Sequence, residues 1–327
     1  MTTMLKVRRS LIASFLWLTF ASFFSLAAAQ EFPTRPIKLV IPQAPGSGAD
    51  VVGRMLAEHM TQSLKQTVIV DNKPGANGII ASQLVQREPA DGYTLMLTSV
   101  SLVSFNQFLY KMPYDPLKDF TFISPVADAG FVLVASLNSG IKSWDDLIKK
   151  SKAKPDDVKF ASAGVGNSTH LYSEMIGLRS GVKLRHIPYK SSGPALMAVV
   201  SGEADLMTVT TATGLSQIKG GKVVALAQSG ETRSPQLPDV PLLKELAPNL
   251  PALPGWYALI GPAKMDPKVT ERIALAVNQF LKDPPSAKKL TDLFLFPIPG
   301  TPADIQKRAE NEAKTWGSLI GDLKIQN

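Results

Sequence analysis

The chain has 327 residues, of which 45% are hydrophobic, carries a net charge of +8 and contains no cysteine. That apolar fraction excludes a disordered polymer, and without cysteine no disulfide can staple the fold, so a hydrophobic core must hold it. The basic residues are scattered in short pairs, Lys149 with Lys150 and Lys288 with Lys289, which read as solvated helix faces and not as the concentrated stripe that nucleic acid requires.

Residues 1–29 read as a leader. Lys6, Arg8 and Arg9 precede an almost wholly apolar run at 11–26, and Ala27, Ala28 and Ala29 offer small residues for cleavage. This is the three-part pattern of a signal peptide, and the apolar run is shorter than the roughly 20 residues of a spanning helix. Cleavage near Ala29 and a periplasmic location are expected, by the general secretory route, although Arg8 with Arg9 also fits twin-arginine export. No cysteine follows the run, so lipid attachment there is ruled out. Removal of the leader lowers the charge from +8 to +5. A mature chain of roughly 300 residues buries about three-quarters of its unfolded surface, and with no second long apolar run it is expected to be water-soluble.

An α/β rhythm follows. Residues 37–41 form a short apolar strand, 43–48 a loop with Pro and Gly, and 50–64 a helix whose apolar residues Val51, Val52, Met55, Leu56 and Met60 recur at helical spacing, with Asp50 at the N-cap. Residues 67–70 are a second strand, 79–86 a second helix and 93–97 a third strand. A strand-like run at 131–135 leads into another series: helix 144–150, strand 158–161, a Gly-rich loop at 164–168, helix 169–178, strand 184–188, helix 193–200 and strands 205–209 and 223–227. A Pro-rich stretch, 234–254, returns the chain to an apolar run at 256–260, and helices at 267–281 and 302–319 end it. Strands that alternate with helices predict mainly parallel sheets with right-handed crossovers. The simplest assembly is a discontinuous α/β domain of residues 30–135 and 250–327, a continuous one of 136–249, and a ligand cleft between them beyond the carboxyl ends of the strands.

The loop Pro42-Gln43-Ala44-Pro45-Gly46-Ser47-Gly48-Ala49-Asp50 lies between the first strand and the first helix. Its glycines admit close approach, and the helix start behind it leaves free N–H groups with about half a positive charge, a place for an anion. It is longer than a plain connector needs. A dinucleotide reading, with Asp71 ending the next strand, fails because Val51 stands where a third glycine belongs. The loop at 161–170 repeats the device, with Gly164, Gly166, Asn167, Ser168, Thr169 and His170, Ser168 being placed as N-cap. Residues 189–193 are a third instance. Nucleophilic catalysis finds no elbow motif, and neither a zinc-ligand spacing nor a phosphate-binding loop is present. No cofactor, metal or catalytic residue is expected. His59 and His186 read as structural, while His170 is placed to cap its helix or line the cleft.

These loops resemble the Bug family of extracytoplasmic receptors associated with tripartite tricarboxylate transporters. The likeness covers nearly all of 33–323 and rests on P-I-K-L-V-I-P-Q-A-P-G-S-G-A-D-V-V-G-R at 36–54, D-N-K-P-G-A-N-G at 71–78, D-G-Y-T-L at 91–95, Y-D-P-L-K-D-F at 114–120, the 164–170 loop, H-I-P-Y-K at 186–190, G-P-A-L at 193–196 and L-P-D-V-P at 237–241. The resemblance implies a two-domain venus-flytrap fold of the periplasmic binding type. It also implies a carboxylated ligand: a di- or tricarboxylate, an acidic amino acid or an aromatic carboxylate. The ligand would be held by the amides of Ala44, Gly46, Ser47, Gly48, Ala49 and Asp50 on one side. On the other stand Gly164, Gly166, Asn167, Ser168, Thr169 and His170, with Asp205 near the rear. Gln43, Ser47 and Ala49 depart from the family's usual residues where the distal part of the ligand would be read. The expectation is therefore a monomeric receptor that closes over a carboxylate and delivers it to membrane transporter subunits. The alternatives are a sensor that presents its closed form to a histidine kinase and a periplasmic enzyme; turnover of a carboxylate would establish the last.

Overall fold

The computed structural model describes residues 31–251, 253–323 and 325; the leader lies outside the described residues. In chain order the elements are β1 (Ile37–Ile41), α1 (Gly48–Leu64), β2 (Val68–Asn72), α2 (Ile79–Gln86), β3 (Thr94–Ser99), β4 (Phe120–Ala129), β5 (Phe131–Ser136), α3 (Trp144–Ala153) and β6 (Lys159–Ser162). Next come α4 (Ser168–Ser180), β7 (Arg185–Pro188), α5 (Ser192–Ser201), β8 (Leu206–Thr210), α6 (Thr211–Lys219), β9 (Val223–Gln228) and α7 (Leu243–Leu246). The chain ends with β10 (Trp256–Pro262), α8 (Pro267–Lys282), α9 (Pro284–Asp292), β11 (Leu295–Pro297) and α10 (Pro302–Leu323).

Two sheets form. The first runs β11-β4-β10-β3-β1-β2, the second β7-β6-β8-β5-β9. Within each, the βαβ strands are parallel, as the crossover rule requires: β1 with β2 and β3, and β6 with β7 and β8. The returning strands are antiparallel: β10 pairs with β3 and β4, and β5 with β8 and β9. Residues 131–135, grouped by the sequence with the first series, therefore lie in the second sheet. The strand that the first sheet holds is β4, which the sequence reading passed over because Pro125 and Asp128 interrupt its apolar run.

The central strands read as continuous apolar runs because both faces are covered; Leu39, Val40, Ile41, Leu95 and Leu97 are fully buried. The second sheet carries a buried cluster on each face. The C-terminal helix α10 lies against β4 and the helical turn Ser101–Phe105, and it also reaches α4. Its Trp316 ring stands 5.0 Å from Phe105 and 5.3 Å from Tyr172, and Tyr172 meets Phe131 edge-on at 4.9 Å. The helix starts are shifted from expectation. Ser47, not Asp50, caps α1, and Asn167, not Ser168, caps α4.

The register places the site. Tyr257 at the start of β10 pairs with Ser99 at the carboxyl end of β3, and Phe131 at the start of β5 pairs with Thr210 at the carboxyl end of β8. Two segments join the sheets beside these ends: Gly130, between β4 and β5, and residues 229–255. A Cβ on Gly255 would stand 2.4 Å from the Ala129 carbonyl oxygen, so the two crossing segments approach closely there only because this residue has no side chain.

Candidate ligand-binding cleft

The carboxyl ends of β1, β3, β6 and β8 converge on one narrow gap with a cavity volume of about 20 Å³, lined by Gln43, Gly48, Ser99, Asn167, Ser168, Thr169, Ser192, Thr210, Trp256 and Tyr257 among others. Four helices, α1, α4, α5 and α6, begin around it. Each leaves amides without an intrahelical acceptor, so what those amides meet decides what the gap can bind.

At α1, the Ser47 hydroxyl accepts from the Asp50 amide (3.3 Å), and the Asp50 carboxylate folds back into the loop. It accepts from the Gly46 amide (2.9 Å), from Arg54 Nε (3.0 Å) and from Asn72 Nδ2 (2.9 Å), and pairs with the Arg54 guanidinium at 2.9 Å. Burial pushes its pKa up, but Arg54, the Gly46 amide and Asn72 outweigh that and hold it below the usual carboxylate value. Asp50 is therefore a structural anion that ties the loop to β2 through Asn72. The Ser47 amide bonds to the Ala44 carbonyl at 3.3 Å. The amides of Gly48 and Ala49 meet no acceptor among the described residues.

At α4, the other Gly-rich loop is closed on itself. Gly164 donates to Ser162 Oγ (3.1 Å), Gly166 to His170 Nδ1 (3.1 Å) and Thr169 to Asn167 Oδ1 (3.0 Å). The Asn167 and His170 amides bond within the loop. The Ser168 amide crosses to Ser101 Oγ of the first-sheet side at 3.0 Å. Asn167 Nδ2 donates to Asn77 Oδ1 (3.0 Å), Asn77 Nδ2 to Asn106 Oδ1 (2.7 Å), and the Tyr110 hydroxyl to the Val165 carbonyl (2.5 Å). This loop presents side chains, not amides, to the gap. His170 is 3% exposed and stacks on His186 at 3.8 Å, with Phe160 against both. It supports the Gly166 turn from beneath and does not line the gap. Burial first, and then His170, push His186 down to about 3. Asp205 precedes β8, at the amino ends of the strands; it accepts from the Lys159 amide (2.8 Å) and pairs with Lys150 (3.6 Å), so the structure does not bring it to the gap.

The two remaining starts are uncapped. Ser191 precedes α5, and its hydroxyl is buried with no partner, leaving the Ser192 and Gly193 amides open among the described residues. At α6 the Thr211 amide bonds to the Gly130 carbonyl (2.9 Å), whereas Thr210 Oγ1 turns to Thr213 Oγ1 (2.9 Å) and to the Tyr257 hydroxyl, so the Ala212 and Thr213 amides stay open. A Cβ on Gly48 would lie 2.6 Å from the Tyr257 oxygen and 2.8 Å from Thr210 Oγ1, so the starts of α1 and α6 meet across the gap at a glycine. Burial pushes the Tyr257 pKa far up and keeps the phenol neutral.

Of the residues expected from the sequence, Gln43, Gly48, Asn167, Ser168 and Thr169 line the gap; Ser99, Thr210, Trp256 and Tyr257 line it too and were not among those expected. The hydroxyl run Thr210-Thr211-Ala212-Thr213 at the carboxyl end of a strand was a legible signal. Tyr257 was not, because its place depends on the antiparallel pairing of β10 with β3.

Residues 52–325 match the family described as tripartite tricarboxylate transporter family receptor, TctC. The chain belongs to that family. Protein BugT of Bordetella pertussis is 32% identical over 97% of this chain and 98% of its own length. Among solved structures, the periplasmic binding protein BugD superposes with a TM-score of 0.86 at 30% identity, covering 90% of this chain and 99% of that one. An R. palustris protein with adipate gives 0.86 at 27% identity, over 90% and 98%. MatC from Rhodopseudomonas palustris with bound malate gives 0.83 at 26% identity, over 88% and 100%. The fold is that of a periplasmic binding protein, and this receptor family and its structural neighbours are solute-binding proteins, not enzymes.

Proposed function

We propose that the chain is exported, loses residues 1–29, and acts in the periplasm as a receptor that closes over a small carboxylate and presents it to a membrane transporter. The observation that carries this reading is the set of open amides at Gly48 and Ala49 facing the open starts of α5 and α6 across one gap. A carboxylate accepts such amides in charge-assisted bonds and is favoured by the positive ends of the helices. The adipate and malate held by two relatives are ligands of this class.

Magnitudes say how the site must work. A hydrogen bond to a charged group contributes about 1.5–3 kcal/mol, so the two α1 amides supply roughly 3–6. Micromolar affinity requires about 8 kcal/mol net of the ordering cost. One helix start falls short; the ligand needs both sides at once, and binding and closure are therefore one event. The moving bodies are the two sheets with their helices, divided near Gly130 and Gly255. The mature protein titrated calorimetrically with adipate, malate and a panel of other mono- and dicarboxylates should bind at least one with micromolar affinity. Heats indistinguishable from dilution across the panel would remove the proposal.

A further inference from the structure

The segments at Gly130 and Gly255 carry the chain between the two sheets, but they are not the only ties. The C-terminal helix α10 packs on β4 and on the turn Ser101–Phe105 of the first-sheet side, where Ser104 Oγ donates to the Ala309 carbonyl at 3.0 Å. The same helix also meets α4, which follows the second Gly-rich loop. Leu171, Tyr172 and Met175 of α4 are buried in one apolar cluster with Phe105, Trp316 and Ile320. The Tyr172 ring lies against Trp316, and its hydroxyl donates to the Pro254 carbonyl in the second crossing segment. Arg179 at the end of α4 pairs with Asp322 near the end of α10 at 3.6 Å. The start of α4 is tied as well, Asn167 to Asn77 and Ser168 to Ser101. Although α4 belongs to the second series of elements, it shares a core with the first sheet along its length.

The opposite flank is built differently. Among the described residues, no hydrogen bond or ion pair joins α1 or the loop before it to α5 or α6. The two sides meet there at the bare Gly48 position and through the Tyr257 hydroxyl and Thr210. A polar contact of this kind parts easily, because water takes over the hydrogen bond at little net cost. Parting the α4 seam would instead expose Phe105, Tyr172 and Trp316 to water, and close-packed helices slide over one another more readily than they separate. We infer that α10 makes the α4 flank the pivot of the molecule. Opening swings α5 and α6 away from α1, while α4 slides a short way along α10 and stays in contact with it. This rests on the closure reading above and gives the motion a direction, which two crossing segments alone do not fix.

Spin labels on introduced cysteines test this, since the chain has no cysteine of its own. Two doubly labelled mature proteins carry the labels at exposed positions: Leu178→Cys with Ser318→Cys across the α4–α10 seam, and Glu58→Cys with Ser216→Cys across the α1–α6 mouth. Pulsed electron–electron double resonance reads both distances in the free protein and with adipate, malate and the other carboxylates of the calorimetric panel. In the free protein the mouth pair should give the broader distribution. With a carboxylate that binds, the mouth pair should shorten by more than about 2 Å, and the seam pair should shift by less than about 2 Å, the size of a slide between packed helices. Trp316→Leu, which thins the seam, should broaden the seam distribution. Equal widths in the free protein, equal shifts at the two pairs, a mouth unmoved by a ligand that binds, or a seam unaltered in Trp316→Leu each overturn the inference and leave carboxylate capture standing. A broad mouth and a narrow seam in a protein that binds nothing in the panel remove the capture reading and leave the pivot in place.

Discussion

The starts of α1 and α4 are written in one idiom, a strand followed by a Gly-rich loop, hydroxyl residues and a helix, and they behave in opposite ways. At α1 the Asp50 carboxylate and the Ser47 hydroxyl take the amides of Gly46 and Asp50 but leave those of Gly48 and Ala49 open. At α4 an asparagine cap, a histidine ring and two serines take up the amides, one of them from across the gap. The α4 segment meets the requirement that buried polar groups find partners. The α1 segment leaves two buried N–H groups without one and so leaves an anion something to bind. A glycine-rich helix start is therefore an opportunity for a site, and the account of each N–H settles whether it is used.

The largest expected effect comes from filling the contact at Gly48. In Gly48→Ala the new methyl meets the Tyr257 oxygen at 2.6 Å and Thr210 Oγ1 at 2.8 Å, so the two sides cannot close to their present distance. Affinity for whichever carboxylate binds should fall about 100-fold or vanish. Overpacking of so close a contact costs about 1–3 kcal/mol, and opening of the two sides relieves part of it, so stability should fall only modestly. Calorimetric titration alongside thermal unfolding separates the two effects. Equal affinity in the variant would mean that the Gly48 contact is not part of the closed site.

Asn167→Ala strikes the other member of the pair. It removes the cap of α4 and the bridge to Asn77. Loss of the cap costs about 1 kcal/mol, which lowers Tm by roughly 2–4 °C in a protein of this size. Affinity should fall less than tenfold, because the lost groups position the second loop and leave the open amides of α1 in place. An affinity loss as large as that of Gly48→Ala would make the α4 side an equal partner in binding and dissolve the contrast.

Asp50 sharpens the comparison from the α1 side. Its folded pKa is held below the ordinary 3.8 by Arg54, Gly46 and Asn72 acting against burial. A depressed carboxylate contributes stability that is present above the unfolded value and is lost as pH falls through the folded one. The mature protein should therefore lose stability below about pH 4, and Asp50→Asn should weaken that acid limb while lowering stability at pH 7. Urea midpoints at pH 7 and pH 3 measure both, and a variant with an unchanged acid limb would show that the carboxylate's partners do not favour its charged form.

Much of this was legible in the residues, and what was not has a physical reason. The βα units showed in the alternation of apolar runs with helical spacing, because each strand is buried on both faces and each helix on one. β4 was hidden by Pro125 and Asp128, which a strand tolerates here through irregular pairing with β10. The 42–50 loop announced itself by its glycines and length. The inward turn of His170 could not be read, since a histidine four residues past a glycine serves a cleft or a core equally well in one dimension. Tyr257 reaches the gap only through the pairing of strands far apart in sequence, with Ser99 as its partner, and local pattern carries no record of it.

The smallest expected effect belongs to the stacked imidazoles beneath the α4 loop. His186 bonds through Nε2 to Ser162 Oγ at 2.6 Å, and Ser162 in turn holds the Gly164 amide. Its pKa falls from 6.5 in the unfolded chain to about 3, through burial and then through His170. Between those values the unfolded chain binds the extra proton and the folded one does not, so stability rises with pH across that window and is lost on acidification toward pH 3. His186→Gln keeps a polar group near Ser162 and removes the titration. The variant should show a shallower decline in Tm from pH 6.5 to pH 4 than the unaltered protein, with affinity at pH 7 changed less than about threefold. An identical decline would assign the acid sensitivity elsewhere, to carboxylates such as Asp50. An affinity loss at pH 7 comparable to that of Gly48→Ala would mean that the second loop's inward supports govern binding as strongly as the open amides opposite.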